Sequence, residues 1–197
     1  LQVLQPNMQF FAENNVKGVF EEGNAASVSG EFGELRAYVI AKLLWDPTAR
    51  VEPLIDEFLA GYYGEAAAPF IKEYIDTITS KTLKTSQHIY IFQWEYEGLY
   101  FTPGERKHID ALWDKAEANA GSAQQLANIR RSRLSWRTYK ANLLVDEFSP
   151  LNLAGRLKEN EKLYNDIVGS GITYMTLGGP ISTEPNFWMR PVEWMSD

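Results

Sequence analysis

The sequence predicts a mainly α-helical bundle that begins with a short helix-strand-helix remnant of a truncated (β/α) barrel. Two observations support this fold class. Through most of the chain, apolar residues recur every three or four positions, as they do on the buried face of a helix. Residues 16–22 instead have the character of one strand that ends in two glutamates, with a helical segment on each side. Helix, strand and helix in succession are typical of a (β/α) barrel.

The two patterns divide the chain into two predicted regions. Residues 1–47 are the terminal portion of the barrel, and residues 48–197 are a C-terminal helical region. A lone strand has no partner for its backbone N–H and C=O groups, so we expect residues 16–22 to pair with strands from elsewhere. The expected partners are the remainder of a parent barrel or, by self-association through the exposed strand, a second copy of the chain.

The helices are predicted in order from their apolar spacing and their end signals. Ser29 is an N-cap candidate, and Gly64 follows an apolar stretch as a terminator. Thr102 and Glu105 form a capping-box pattern with Pro103 at the first helical position. The predicted helices cover residues 6–14, 29–44, 53–64, 70–78, 102–121, 122–148 and 151–168.

Two stretches have no helical period. Residues 88–101 are rich in aromatic side chains, which indicates an irregular or partly extended connection. The tail from Gly169 onward is loop-like because it is rich in glycine and proline. Its aromatic residues, among them Trp188 and Trp194, indicate that it packs against the rest of the protein.

Composition excludes several classes of protein. The formal net charge is −7, from 19 basic and 26 acidic residues, so the chain lacks the positive field that a nucleic-acid partner requires. No apolar run approaches the roughly 18–20 residues of a membrane-spanning segment. The chain has no cysteine, no glycine-rich phosphate loop and no zinc-binding His-Glu-x-x-His motif. We therefore predict no metal and no cofactor.

One predicted helix carries a concentration of basic residues, which allows two interpretations. The favoured one is a solvated face paired with acidic residues of neighbouring helices. The alternative is an anion-binding site. The basic residues are Arg130, Arg131, Arg133, Arg137 and Lys140.

The glutamates at the end of the predicted strand are the first candidate site. Alternation puts Gly18, Phe20 and Glu22 on one strand face, and this face suits a crowded barrel interior. Glu22 is therefore the candidate catalytic carboxylate. Glu21 and Glu22 are both candidates for substrate binding. Alternatively, both glutamates are solvated or lie at the N-terminus of the next helix. Cleavage of a glycosidic bond needs two carboxyl groups on opposite sides of the bond, and this segment supplies a carboxyl group for only one of those sides.

Aromatic side chains outside the periodic segments are the second candidate site. Sugar rings stack on aromatic rings, so Trp94 and Tyr96 are candidate substrate-binding residues. The competing interpretation is that they pack in the core, as most aromatic side chains do.

Three stretches of the chain carry a family resemblance. They are NNVKGVFEEG at residues 14–23, GEFGELRAYVIAKLLWDP at residues 30–47, and FLAGYYG followed by AAAP within residues 58–69. These stretches resemble a bacterial family known as domain of unknown function 4838, over about residues 5–75. Members of that family look like glycoside hydrolases with a β-hexosaminidase-like or α-glucuronidase-like N-terminal domain, a barrel and a helical C-terminal region.

The resemblance implies a carbohydrate-active parent protein. The chain is then expected to be the C-terminal fragment of a glycoside hydrolase that acts on a glycan in polysaccharide degradation. It is also expected to be periplasmic, at the cell surface or secreted. The isolated chain is expected to be inactive, because most of a barrel is missing. The alternative is a non-catalytic helical module for scaffolding or glycan binding.

Overall fold

The computed structural model describes residues 1–21, 23, 27–28, 30–85, 100–146, 153–176 and 179–181. Within these ranges the chain forms seven α-helices and one pair of short antiparallel β-strands. The elements are α1 (Leu4–Glu13), α2 (Gly33–Trp45), α3 (Val51–Tyr63), α4 (Ala68–Thr85), α5 (Pro103–Ala118), α6 (Ala123–Asp146), α7 (Leu153–Gly169), β1 (Tyr174–Thr176) and β2 (Gly179–Pro180).

The prediction of a mainly helical chain is confirmed, and several predicted helix ends are present. The backbone N–H of Thr102 donates to Glu105 Oε2 at 2.7 Å, and Glu105 N–H donates to Thr102 Oγ1 at 3.3 Å, which completes the capping box of α5. Gly64 ends α3 with a φ of 94°, a backbone conformation that favours glycine. No helix in the described part of the chain is long and apolar enough to cross a membrane.

The start of α2 differs from the prediction. The helix begins at Gly33, after Phe32, whose φ of 52° is left-handed, and no side chain caps its N-terminus. The predicted N-cap, Ser29, lies outside the described residues. Residues 88–99 of the predicted irregular connection and the tryptophans of the tail also lie outside them.

The predicted strand at residues 16–22 is wrong over its described part. Residues 16–21 form no strand, and residues 17–21 make no backbone hydrogen bond within the described ranges. A strand requires a partner for its backbone groups, and apolar alternation along a segment supplies none. The helix-strand-helix remnant of a barrel is therefore absent from the described residues, where α1 instead packs against α2. The division at residue 47 stays a prediction.

The chain divides into two compact units, of which unit 1 comprises Leu1–Ala49 and Arg130–Asp197. Its extended pairing lies at positions that the sequence did not predict. Val28 N–H donates to the carbonyl of Tyr174 at 3.1 Å, and Ser27 and Tyr174 form a parallel bridge. Tyr174 is also the first residue of β1, which pairs with β2 in the antiparallel direction. The loop-like tail therefore contains a short β element that holds a segment from the beginning of the chain.

Unit 1 has a core to which both sequence segments contribute. A cluster of buried apolar side chains joins the segment before α2 to α6, α7 and the segment before β1. The hydroxyl of Ser135 also donates to the carbonyl of Val28. The clustered residues are Val28, Leu134, Leu163, Ile167 and Ile172.

Two basic residues of α6 contact acidic residues of other helices in unit 1. Arg137 Nη1 lies 2.6 Å from Asp166 Oδ2, and Arg131 Nε lies 3.8 Å from Glu34 Oε1. The favoured interpretation of the basic helix is therefore confirmed for these two arginines.

Unit 2 comprises Arg50–Ile129, and within it α4 packs against both α3 and α5. The apolar faces of the three helices meet in a core where the Trp113 ring lies 4.9 Å from the Tyr74 ring, centroid to centroid. The core side chains are Ile55, Leu59, Tyr63, Ile71, Tyr74, Ile109, Leu112, Trp113 and Ala116.

Candidate functional site

The residues predicted to bind or cleave a substrate are not brought together in the described part of the chain. Glu22, Trp94 and Tyr96 lie outside the described residues. Glu21 is exposed in the irregular segment after α1. It lines neither the groove along α4 nor the smaller hollow beside the N-terminus of α2. The catalytic and substrate-binding assignments of these residues stay predictions.

Unit 2 carries a groove of about 1040 Å³ along α4. This volume is at the upper end of the roughly 300–1000 Å³ of small-molecule sites. The lining includes the small or apolar side chains of Leu59, Ala60 and Ala68. Five carboxylates, three ammonium groups and three hydroxyl groups also line it: Asp56, Glu65, Glu73, Asp76, Glu105, Lys72, Lys81, Lys84, Thr77, Ser80 and Thr85.

The spacing of polar residues along α4 creates most of this lining. Lys72, Asp76, Ser80 and Lys84 follow one another at intervals of four residues, so they lie on one side of the helix. The apolar residues Ile71 and Tyr74 are buried in the core. A second set at the same interval, from Glu73 to Thr85, lies beside the first. Sequence reasoning missed this stripe because a polar helix face usually indicates a solvated surface.

Lys72, one of the groove's lining residues, is held by two carboxylates. Its Nζ lies 3.1 Å from Asp76 Oδ2 and 3.4 Å from Glu52 Oε2. Burial alone lowers the pKa of Lys72, but the hydrogen bond and charge of Asp76, joined by Glu52, raise that pKa above its usual value. Lys72 is therefore a charged group that fixes the positions of its acidic neighbours.

Glu105 is the most strongly held carboxylate of the groove. Lys81 Nζ donates to its two oxygens at 2.7 and 2.9 Å, and Thr102 donates to Oε2 through its backbone N–H and its hydroxyl. The hydrogen bond from Lys81, followed by those from Thr102, lowers the pKa of Glu105 to about 2. Lys81 Nζ also lies 5.2 Å from the ring centroid of Phe101. Glu105 is thus an ionised carboxylate that joins α4 to α5.

Four polar groups of the groove have no bonding partner in the part of the chain that the structure describes. Within the described residues, the side chains of Asp56, Glu65, Ser80 and Lys84 form neither a hydrogen bond nor an ion pair. Asp56 and Glu65 come from α3 and from the turn that follows it, whereas Ser80 and Lys84 come from the second half of α4. The groove therefore offers acceptors from one side and donors from α4.

His108 does not extend this site into a metal centre. Its Nε2 lies 3.2 Å from Glu73 Oε1, at the edge of the groove lining. Over the described ranges, no three side chains of His, Asp or Glu lie close enough together to hold a metal ion.

Unit 1 contains a smaller hollow of about 300 Å³ beside the N-terminus of α2. Glu34 and Arg131 line it and approach each other to 3.8 Å. Ser135 also lines it, but its hydroxyl already donates to the carbonyl of Val28. Because these polar groups are bonded to one another or to the backbone, this hollow is a weaker candidate than the groove of unit 2.

Comparison with known proteins finds a family match over the N-terminal part of the chain. Residues 1–76 match the family described as Domain of unknown function (DUF4838). No curated protein and no solved structure matches the chain. The matched part includes α1, α2, α3 and the first half of α4, and therefore the residues of the groove up to Asp76. Over this N-terminal part, the chain is similar to the DUF4838 family.

Proposed function

We propose that the chain is the C-terminal part of a glycan-hydrolysing protein and that its helices bind the glycan without cleaving it. The groove of unit 2 is the observation that carries this proposal. It has the volume of a ligand site, and Asp56, Glu65, Ser80 and Lys84 line it without partners among the described residues. The resemblance to a family with glycoside-hydrolase-like members favours a glycan as the ligand.

The charges of the groove favour a neutral glycan over an anionic ligand. Five carboxylates outnumber three ammonium groups in the lining, so a polyanion meets a net negative surface. Sugar hydroxyl groups both donate and accept hydrogen bonds. They can donate to Asp56 and Glu65 and accept from Lys84, while Ser80 can do either.

Two carboxylates of the lining are unsuited to serve as the acid in glycoside cleavage. Glycoside cleavage requires a protonated carboxylic acid, whose pKa is raised, opposite a second carboxylate. The pKa of Glu105 is instead lowered to about 2, and Asp76 is bound to Lys72. Binding is therefore the better-supported role for the described helices. The same proposal assigns cleavage of the glycan to other parts of the parent protein and places that protein outside the cytoplasm.

Titration with oligosaccharides tests the proposal. We expect the 197-residue chain to bind at least one neutral tetra- to hexasaccharide from a panel of gluco-, xylo-, manno- and chito-oligosaccharides, measured by calorimetry. Lys84→Gln should weaken binding by about three- to tenfold because a charged donor is lost. Ser80→Tyr should abolish binding by filling the groove. The same chain should release no product from aryl glycosides.

Substitutions at Lys107 provide matched controls. Lys107 is exposed on α5 and does not line the groove, so Lys107→Gln and Lys107→Tyr should leave affinity unchanged. Absence of binding by every oligosaccharide at millimolar concentration would favour the scaffolding alternative. Turnover of an aryl glycoside would show that the chain is itself an enzyme.

A further inference from the structure

Residues 16–21, separated from the end of α1 by two residues, form an exposed segment in which residues 17–21 have no backbone hydrogen-bond partner among the described residues. Val16 N–H donates to the carbonyl of Phe11 at 3.0 Å, but residues 17–21 have no backbone hydrogen bond within the described ranges. The segment contains no helix, turn or bend. Phe20 is 89% exposed, Val16 45% and Val19 39%. Exposed apolar side chains on an unpaired segment without turns are the features of a site where a strand from another chain adds.

We propose that two copies of the chain associate by pairing residues 17–21 as antiparallel strands centred on Val19. In this register Val19 faces Val19 of the partner subunit. Lys17 then faces Glu21 of the partner subunit, and Gly18 faces Phe20 of the partner subunit. A two-fold axis through the Val19 pair repeats each contact, so one segment supplies both halves of the interface.

Charge complementarity selects this arrangement. Lys17 and Glu21 are equally distant from Val19 along the segment, on opposite sides of it. The antiparallel register therefore forms two pairs of opposite charge, one at each end. In a parallel register each residue faces its own copy, so lysine faces lysine and glutamate faces glutamate. Opposite charges across a strand pair are stabilising, whereas like charges are destabilising.

The other side of the segment is complementary in shape. Gly18 has open space around it, because a Cβ atom added there would meet no heavy atom within 4 Å. Phe20, the most exposed phenylalanine among the described residues, faces that glycine in the proposed register. An aromatic ring that lies across a neighbouring strand's glycine covers its backbone and stabilises the pair. Both sides of the segment are thus matched by the same alignment.

The concentration dependence of the molecular mass tests the proposal directly. We expect sedimentation equilibrium of the 197-residue chain to show a monomer-dimer equilibrium between about 10 μM and about 1 mM. Lys17→Glu and Glu21→Lys should each raise the dissociation constant by about tenfold or more, because each variant places two like-charged pairs in its own dimer.

Mixing the two variants distinguishes this register from other modes of association. In a mixed dimer, the carboxylate introduced at position 17 of one variant faces the ammonium group introduced at position 21 of the other. The unchanged Lys17 and Glu21 of the two variants also face each other. An equimolar mixture of Lys17→Glu and Glu21→Lys should therefore regain the mass distribution of the unaltered protein. Glu13→Lys is the control, since it changes the charge by the same amount at the end of α1 and should leave association unchanged.

Two phenylalanines test the apolar contact. Phe20→Ala should weaken association, whereas Phe10→Ala, at a position 60% exposed on α1, should not. A strict monomer at about 1 mM would overturn the proposal and would leave this segment to another partner, such as a strand of the parent protein. A dimer that tolerates both charge reversals, or a mixture that stays monomeric, would overturn it as well.

Discussion

Two tryptophans of this chain occupy opposite environments. The ring of Trp113 packs 4.9 Å from that of Tyr74 in the core of unit 2, and its side chain is 1% exposed. Trp45, the last residue of α2, is 92% exposed. Trp113 shares an apolar helix face with Ile109, Leu112 and Ala116, and this spacing in the sequence predicts that its ring is buried. Periodicity within one helix was sufficient for this prediction.

The two environments predict different effects of truncation. Trp113→Ala should lower the free energy of unfolding by about 3–5 kcal/mol, because it removes a large ring and leaves a cavity. Trp45→Ala should change it by less than about 0.5 kcal/mol. Urea denaturation followed by circular dichroism measures both values. Equal losses for the two variants would contradict the packing described for unit 2.

At the scale of the elements, α4 and α5 are joined through Glu105. The sequence predicted its part in the capping box, because Thr102 and Glu105 are three residues apart. It did not predict the bond from Lys81, since that residue lies 24 positions earlier in the chain. The groove was missed for the same reason: its lining depends on how three helices come together, whereas each helix alone shows only a polar face.

The lowered pKa of Glu105 predicts how the α4–α5 contact responds to acid. Its pKa is about 2 in the folded protein and 4.5 as the unperturbed value. A carboxylate with a depressed pKa stabilises the fold above the unfolded pKa and loses this contribution as pH falls toward the folded pKa. The melting temperature of Glu105→Gln should therefore lie below that of the unaltered protein near neutrality, and the gap should narrow between pH 4.5 and about 2.

A comparison at a neighbouring position controls for general effects of acid. Lys107→Gln changes an exposed residue of the same helix. Its melting temperature should stay close to that of the unaltered protein throughout the titration. Scanning calorimetry at half-unit pH intervals is suitable for this measurement. A gap for Glu105→Gln that stays constant to pH 2 would show that the ion pair with Lys81 does not contribute to stability.

The extended segments show where reasoning from local pattern fails. Residues 16–21 alternate as a strand should, yet within the described ranges they have no strand partner and form no strand. Val28 and Tyr174 lie in segments with weaker local patterns of a strand. They nevertheless pair with each other, although most of the chain separates them in sequence. Strand formation depends on the partner as much as on the segment. The helices were predictable because their backbone hydrogen bonds are internal.

At the scale of the whole molecule, the two units differ in how their sequence is arranged. Unit 2 is one continuous stretch, Arg50–Ile129, in which α3, α4 and α5 follow one another and pack in that order. Unit 1 is discontinuous, and its core requires Val28 to meet residues of α6, α7 and the segment before β1. Closing a long loop before any contact forms is entropically costly, so contacts between distant residues form slowly.

This difference predicts the order of folding. In pulsed hydrogen exchange during refolding, amides of α4 and α5 should become protected before the amide of Val28, whose acceptor is the carbonyl of Tyr174. The amide of Arg106, bonded to Thr102 within the first turn of α5, is the local reference. Ile172→Ala should delay protection of Val28 without delaying that of Arg106, because Ile172 belongs to the core of unit 1. Simultaneous protection of all three regions would mean that the two units fold as one cooperative structure.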